Sequence, residues 1–190
     1  MYAIELPGTF TYTQARQVGL SKRALYALRD SGQIQAIGRG LYRRTDAPLA
    51  DLDLIAIAER APEATLCLTS ALARHHLTDV IADRHDIALP RHRRHPTVDA
   101  PVRWHRFDAT TITIGRDHLS LDPDSTIGIY DAPRSITDAF RMRGTLGPDL
   151  AYHALRRWLR AGSHPADLLR TAKHFPAALP AIRHALEVLT

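Results

Sequence analysis

The sequence predicts an α+β fold in two parts, a small N-terminal domain and a larger body that ends in a helical layer. Two short helical segments and a hairpin fill residues 11–44. Short runs of alternating or β-branched residues occupy residues 85–130, and the last third has helical periodicity. The 190 residues can bury such a core, and 45% hydrophobic with 24% charged residues is typical of a soluble globular protein.

Two helices are predicted near the start of the chain. Thr13 is the expected cap of a first helix over residues 14–18. Ser21 is the expected cap of a second helix that runs to about Ser31. Gly32 then ends that helix, as a left-handed glycine does at a helix C-terminus.

The second helix has an apolar side and a cationic side. Ala24, Leu25 and Leu28 share one side at helical spacing and are expected to pack on the preceding helix. In a helix-turn-helix motif, the early positions of the other side reach base edges in the major groove, whereas a solvated basic face is the alternative. The residues on that other side are Lys22, Arg23, Tyr26 and Arg29.

The hairpin favours nucleic-acid binding over a solvated face. The runs "IQAI" and "LYRR" flank "GRG", and a two-stranded ribbon directly after a recognition helix makes a winged helix. Arg39, between two glycines, can extend into a minor groove or along the DNA backbone. Arg43 and Arg44 end the returning strand and are expected to contact phosphates. Residues 1–45 hold seven basic and two acidic residues, a charge balance that suits this interpretation.

The stretch "VGLSKRALYALRDSGQIQAIGRGLYRR" resembles the N-terminal winged helix of the AbiEi family, the antitoxins of type IV toxin-antitoxin systems. Members carry a threonine-capped helix, a serine-started recognition helix with a leucine-tyrosine pair, and a glycine-arginine-glycine wing. Thr13, Ser21, the Leu25–Tyr26 pair and residues 38–40 match these features. Only "MYAIEL" precedes the Pro7–Gly8 break where members have a full helix, so the first helix is very short or the domain is supported from elsewhere.

The resemblance implies a DNA-binding antitoxin that binds inverted repeats in its own promoter and counteracts a cognate nucleotidyltransferase toxin. Its expected partners are double-stranded promoter DNA and that toxin, and its expected state is a monomer or weak dimer. The residues expected to contact DNA are Thr13, Gln14, Ser21, Lys22, Arg23, Tyr26, Arg29, Arg39, Arg43 and Arg44.

Composition divides the chain into residues 1–45, a polar and proline-containing linker over residues 46–52, and an α+β domain over residues 53–190. "DLDLIAIAERA" fits an amphipathic helix, and "TSALARHHL" fits another that is capped by Thr69 or Ser70.

Strands follow, in "HDIALP", "VRWHRF", "TITI", "HLSL" and "IGIY". The links are too short for helical crossovers, so a mainly antiparallel or mixed sheet is expected, with one hairpin around residues 115–117. In the helical C-terminal part, Pro133 suits a first helical position and Ser163 is an expected cap.

The resemblance to the family extends loosely into this domain. "LTSALARHHLTD" and "YDAPRSITDAFR" are similar to family segments, with matches that include Arg134 and Asp138. Exposed basic residues here are candidate partner surfaces, although a solvated basic surface is the alternative for any one of them. The candidates are Arg91, Arg93, Arg94, Arg156, Arg157 and Arg160.

We expect no enzyme activity, metal or cofactor. His75 and His76 are adjacent and cannot chelate one ion side by side on a helix, and Cys67 is the sole cysteine. Neither Lys22 nor Lys173 has the acidic partner of a nuclease site. No apolar run is long enough for a membrane span and the start has no secretory pattern, so a cytoplasmic location is expected. The alternatives are a stand-alone regulator without a toxin, and a degenerate nuclease-like or toxin-binding protein with a structural wing.

Overall fold

The structure is a computed structural model that describes residues 6–189, and its chain divides into two compact units. The first unit combines Met1–Pro62 with two later segments, Pro96–Ala100 and Leu119–Ile127. The second unit consists of Glu63–His95, Pro101–His118 and Gly128–Thr190. The predicted boundary between residues 45 and 53 does not coincide with this division.

The N-terminal part of the first unit alternates short strands and helices. Its last helix was predicted for the larger domain but lies in this unit. In chain order the elements are β1 (Thr9–Thr11), α1 (Tyr12–Gln17), α2 (Lys22–Asp30), β2 (Ile34–Gly38), β3 (Leu41–Arg44) and α3 (Leu52–Arg60).

Helix α1 begins two residues earlier than its sequence predicts. Thr11, not Thr13, is the cap: its Oγ1 accepts from the Gln14 amide at 3.2 Å, and Gln14 Oε1 accepts from the Thr11 amide at 2.6 Å. This reciprocal capping box satisfies two amides that would otherwise lack partners. Thr13 lies inside the helix and is exposed, so the prediction of a Thr13 cap is wrong.

Helix α2 forms as predicted. Ser21 caps it through a 3.1 Å hydrogen bond from the Ala24 amide, and Gly32 follows it with a φ of +75°. Leu25 is fully buried and packs in a small apolar cluster, which fixes the orientation of the helix about its own axis. The other buried members of the cluster are Leu6, Phe10, Ala15, Leu20 and Ile34.

The wing is part of a sheet with strand order β1-β3-β2, in which both pairs are antiparallel. Strand β1, which the sequence does not reveal, pairs Thr9 with Arg43. Support also comes from far along the chain, because Asp124 Oδ2 accepts from the Gly8 amide at 2.9 Å. Residues 1–5, where a very short first helix was an alternative, lie outside the described residues.

The sheet of the larger part is mixed, as one of the sequence alternatives proposed. Its strand order is β6-β5-β4-β8-β7, with β4 antiparallel to β5 but parallel to β8, and β5 parallel to β6. The strands are β4 (Thr65–Leu66), β5 (His85–Pro90), β6 (Val102–Phe107), β7 (Arg116–Asp122) and β8 (Ser125–Tyr130).

The predicted "TITI" strand is a series of turns, and the predicted hairpin around residues 115–117 is wrong. The Ile114 amide bonds the Thr111 carbonyl, a spacing typical of turns. The Thr111 and Ile114 carbonyls accept from Arg134 Nη1 at 2.7 and 2.6 Å, so these groups bind a side chain instead of a neighbouring strand. The hairpin that does form joins β7 to β8 through residues 123–124.

Helices α4 to α9 complete the second unit, with two caps that differ from expectation. Cys67, not Thr69 or Ser70, precedes α4, and His164 replaces Ser163 before α8, where its Nδ1 accepts from the Ala166 amide at 3.2 Å. No helix within residues 6–189 has the length and apolar character needed to cross a membrane. The helices are α4 (Leu68–Arg74), α5 (Ala132–Arg141), α6 (Arg143–Leu146), α7 (Pro148–Arg160), α8 (Pro165–Ala172) and α9 (Leu179–Leu189).

A buried ion pair organises the second unit around α5. Arg134 and Asp138 are both fully buried, and Arg134 Nε donates to Asp138 Oδ2 at 2.9 Å. Three rings surround the guanidinium, with the closest centroid, that of Tyr130, 4.1 Å from Cζ. Desolvated cations interact favourably with aromatic faces, so the rings and the carboxylate together accommodate the charge.

Asp138→Ala is expected to lower the free energy of unfolding by about 3–5 kcal/mol, because it leaves the Arg134 cation buried without its carboxylate. Urea-induced unfolding, followed by circular dichroism, measures this loss. Asp167→Ala is the matched control: it breaks the exposed Arg170–Asp167 pair and is expected to cost about 0–1 kcal/mol. Equal losses in the two variants would contradict a structural role for the buried pair.

Candidate nucleic-acid interface

Helix α2 has a cationic face that is exposed to solvent, because burial of its apolar side fixes which residues point outward. Leu25 is buried, and Ala24 and Leu28 beside it pack against the same apolar cluster, so the side of the helix away from this stripe faces solvent. These are the four residues expected from the sequence, and each is exposed: Lys22, Arg23, Tyr26 and Arg29.

Tyr26 organises this face. Its ring lies under two cations, with Lys22 Nζ 5.6 Å and Arg29 Cζ 4.7 Å from the ring centroid. Arg29 is also bound to Asp30, at 2.9 Å, so part of its charge is neutralised. Within residues 6–189, Lys22 and Arg23 have no carboxylate at salt-bridge distance, which makes the first turn of α2 the more cationic end.

The other polar residues expected near DNA have different surroundings. Ser21 Oγ and Gln14 Oε1 are occupied in helix caps, so each acts first on its own backbone. Thr13 is exposed on α1. The three residues lie at or near the N-terminal ends of α1 and α2, and their contact with DNA stays a prediction.

The wing tip carries an exposed arginine on a fastened turn. Arg39 is exposed, and Gly40, with a φ of +70°, takes the left-handed conformation that the turn requires. The Gly40 carbonyl accepts from the Tyr12 amide at 2.9 Å, and the Arg39 carbonyl accepts from the Arg60 guanidinium. The backbone of the tip is therefore held while the Arg39 side chain stays free to reach outward.

Arg60 is a residue that sequence reasoning missed. It lies at the end of α3, which was predicted for the other domain, and its contact is with a backbone atom 21 positions away. It also lines a cleft of about 440 Å³ beside the wing, together with Arg39, Leu41 and residues 96–99. No local pattern in the sequence marks such a contact.

The predicted phosphate contact of Arg43 is wrong. Arg43 is 3% exposed, and its Nη1 donates to Thr9 Oγ1 at 2.6 Å and to Asp122 Oδ2 at 2.7 Å. Strand alternation contains the signal, because Leu41 and Arg43 are two apart on β3 and share the buried face. The guanidinium therefore holds the wing strand in place and is not available to DNA.

Arg44 lies on the other face of β3 and is partly exposed. Its guanidinium bonds both carboxylate oxygens of Asp46, at 2.8 and 2.6 Å, and the Leu6 carbonyl at 3.2 Å. A phosphate would have to compete with Asp46 for this cation, so the structure weakens the expected role of Arg44.

The basic residues expected to meet a partner are exposed, as predicted. They lie on the 91–94 loop and on α7. Two of them already have acidic neighbours, because Arg93 pairs with Glu63 and Arg157 pairs with Asp79. The set consists of Arg91, Arg93, Arg94, Arg156, Arg157 and Arg160. No group of three His, Cys, Asp or Glu side chains in the described part of the chain is placed to hold a metal ion.

The two helices, the capped turn between them and the fastened wing define a winged helix-turn-helix domain, a fold that presents its second helix to DNA. Residues 1–45 match the family described as "Transcriptional regulator, AbiEi antitoxin", which confirms for this segment the resemblance seen in the sequence.

Among solved structures, the crystal structure of the RV2827C protein from Mycobacterium tuberculosis is similar to this chain. The likeness covers 95% of this chain and 76% of that one, with a TM-score of 0.54 and 19% sequence identity. It shows a shared fold. No curated protein matches the chain.

Asp122→Asn is expected to lower the free energy of unfolding at neutral pH by about 3 kcal/mol. It should also make this free energy less dependent on pH in the acid range. Burial alone would raise the pKa of Asp122, but hydrogen bonds from Arg43, the Asp124 amide and Ser125 hold that pKa below its usual range. Such a carboxylate stabilises the fold above about pH 4, and this stability is lost as the pH falls through the folded pKa. Urea-induced unfolding between about pH 7 and pH 2.5 measures both effects.

The gap in unfolding free energy between the native protein and Asp122→Asn should therefore close in acid. Asp46→Asn, which removes an exposed partner of Arg44, is the control and should change stability by about 0–1 kcal/mol. A gap that stays constant across this range would rule out the ionised Asp122 as the source of the stability.

Proposed function

We propose that this chain is the antitoxin of a type IV toxin-antitoxin system, and that it acts in the cytoplasm. It binds inverted repeats in the promoter of its own operon as a negative autoregulator, and it counteracts a cognate nucleotidyltransferase toxin. The observation that carries the proposal is the exposed cationic face of α2 beside the Arg39 wing tip, both within the segment that matches the AbiEi antitoxin transcriptional regulators.

The first turn of α2 suits major-groove reading. An α-helix with its side chains is about 10–12 Å across, and the major groove of B-DNA is about 12 Å wide, so the N-terminal end of α2 can enter while Leu25 stays in the core. Arg23 extends from this end, has no carboxylate at salt-bridge distance among the described residues, and can bond the O6 and N7 atoms of guanine. Lys22 and Arg29, which contact the Tyr26 ring, are proposed to bind nearby phosphates.

The wing supplies a second contact. Arg39 is at the tip, and its flanking glycines leave the backbone without side chains that would obstruct a groove. Narrow minor grooves attract arginine because their negative potential is enhanced. Hydrogen bonds from Tyr12 and Arg60 fix the backbone of the tip before DNA binds, so little backbone conformational entropy is lost when Arg39 binds.

The second unit is proposed to meet the toxin. Its exposed arginines on the 91–94 loop and on α7 are the candidate contact surfaces, and Arg156 and Arg160 have no carboxylate at salt-bridge distance within residues 6–189. Exposed, uncompensated guanidinium groups bind acidic surfaces and fix the register of a complex. The protein is proposed to bind each repeat as a monomer or weak dimer.

Arg23→Ala is expected to weaken binding to the promoter DNA upstream of the gene by about 5- to 100-fold, because one bidentate base contact is worth about 1–3 kcal/mol. Arg39→Ala should also weaken binding and should lower the salt slope by about one unit, as expected for one lost phosphate neutralisation. Fluorescence anisotropy on labelled promoter DNA at several salt concentrations measures both.

Arg183→Ala is the charge-matched control for these variants, because Arg183 is exposed on α9 in the other unit. It should leave promoter binding unchanged. The repressor proposal fails if the native protein binds promoter DNA no better than random DNA of the same length, or if Arg183→Ala weakens binding as much as Arg23→Ala.

Neutralisation is tested separately, by co-expression with the proposed cognate nucleotidyltransferase toxin. Deleting residues 46–190 would remove Asp122, the partner of Arg43, so point variants of the whole chain are preferable. Combined Arg156→Ala, Arg157→Ala and Arg160→Ala should reduce protection of the cells and keep promoter binding. Combined Arg23→Ala and Arg39→Ala should keep protection and lose promoter binding.

The α7 variant and the winged-helix variant also distinguish an antitoxin from a stand-alone regulator. Protection that no α7 variant or loop variant alters, at equal protein levels, would contradict a toxin contact on these surfaces. Loss of protection in the Arg23 and Arg39 variant would show that neutralisation depends on DNA binding.

A further inference from the structure

The second unit carries a cationic surface of its own, around the loop that follows β5 and along β6. Residues 91–106 hold five arginines and a single acidic residue. The Arg91 amide donates to the Phe107 carbonyl at 2.9 Å, so the loop starts beside the end of β6. Strand β6 is at the edge of its sheet, so one side of its backbone pairs with no further strand within residues 6–189.

Two stacked rings lie within this surface. The His95 and Trp104 ring centroids are 5.7 Å apart, with 22° between the ring planes. His95 is exposed, and its Nε2 accepts from Arg106 Nε at 3.3 Å. An accepting Nε2 belongs to a neutral imidazole, and partial burial together with the Arg106 charge lowers the pKa of His95. At neutral pH the pair therefore presents an uncharged, flat ring to solvent.

Two arginines beside the rings have a charge that no described carboxylate neutralises. Arg93 pairs with Glu63, and Arg103 lies 3.4 Å from Asp83. Arg94 and Arg106 have no carboxylate at salt-bridge distance in the described part of the chain. One of them precedes His95 directly and the other bonds its ring, so both cations flank the stack.

We propose that Arg94, His95, Trp104 and Arg106 form a binding site for single-stranded nucleic acid. An unpaired base stacks on the open face of His95, which Trp104 supports from behind, and the two arginines bind the phosphates on either side. Base stacking on such rings is tolerant of sequence and recurs in proteins that bind single strands. An acidic peptide would use the arginines alone, and bases within a duplex are not available for stacking.

Binding is tested with the full chain carrying Arg23→Ala and Arg39→Ala, in which the winged helix binds duplex DNA weakly. The three labelled probes have 12 nucleotides each: oligo(U), oligo(dT) and a mixed-sequence duplex. Anisotropy gives the affinity, and tryptophan fluorescence reports stacking, because Trp104 is partly exposed whereas Trp158 is 6% exposed. The single strands should quench the fluorescence and bind more tightly than the duplex. A preference for oligo(U) or for oligo(dT) identifies the strand as RNA or DNA, and either result supports the site.

Variants isolate the rings from the charges. His95→Ala and Trp104→Leu should each weaken single-strand binding by roughly 5- to 100-fold, and Trp104→Phe should retain most of it. Combined Arg94→Ala and Arg106→Ala should lower the salt slope by about 1.4, the value for two phosphates on a single strand. Arg183→Ala, the control, and Arg23→Ala, which affects the winged helix, should both leave single-strand binding unchanged.

His95 is exposed, so its variant should fold, and circular dichroism checks this. The proposal is overturned if His95→Ala binds single strands as the native protein does. It is overturned as well if the duplex binds as tightly as the single strands when Arg23 and Arg39 are both replaced by alanine. It is also overturned if the Arg94 and Arg106 variant weakens promoter binding and leaves single-strand binding intact, since the surface would then contact duplex phosphates. Loss of promoter binding alone, through Arg23→Ala, does not affect it.

Discussion

The buried ion pair between Arg43 and Asp122 is the interaction on which the winged helix depends. Both side chains are almost fully removed from solvent, and the pair joins positions 79 residues apart. Isolated charges do not survive such burial, so each residue requires the other. The pair fixes strand β3, β3 fixes β1 and β2 on either side, and the turn between β2 and β3 then carries Arg39 outward.

Local patterns in the sequence predicted those parts of the site that depend on interactions between residues close together in the chain. Ser21, Gly32 and the spacing of Leu25 were sufficient to place α2 and its cationic face, because caps and helical periodicity act over a few residues. Arg43 and Arg60 were missed as structural residues because their partners are distant in sequence. The prediction of a "TITI" strand was wrong for a similar reason, since the guanidinium of Arg134, in the first turn of α5, donates to the carbonyls of this segment.

This chain shares its fold with a protein of low sequence identity. The match to the RV2827C protein of Mycobacterium tuberculosis covers 95% of the chain, with 19% of residues identical. In the second unit, Arg134 and Asp138 have a structural role: the pair, its surrounding rings and the carbonyls of residues 111 and 114 hold α5 in place.

The first unit is assembled from three separate stretches of the chain, and this has a consequence for synthesis. Its last stretch ends at Ile127, so the ribosome must release about two thirds of the chain before β3 finds the carboxylate that neutralises Arg43. Nascent chains and early-terminated fragments carry α2 but lack this anchor. Under the proposed function, only chains synthesised beyond this point would occupy the operator, and unfinished translation products would not repress the operon.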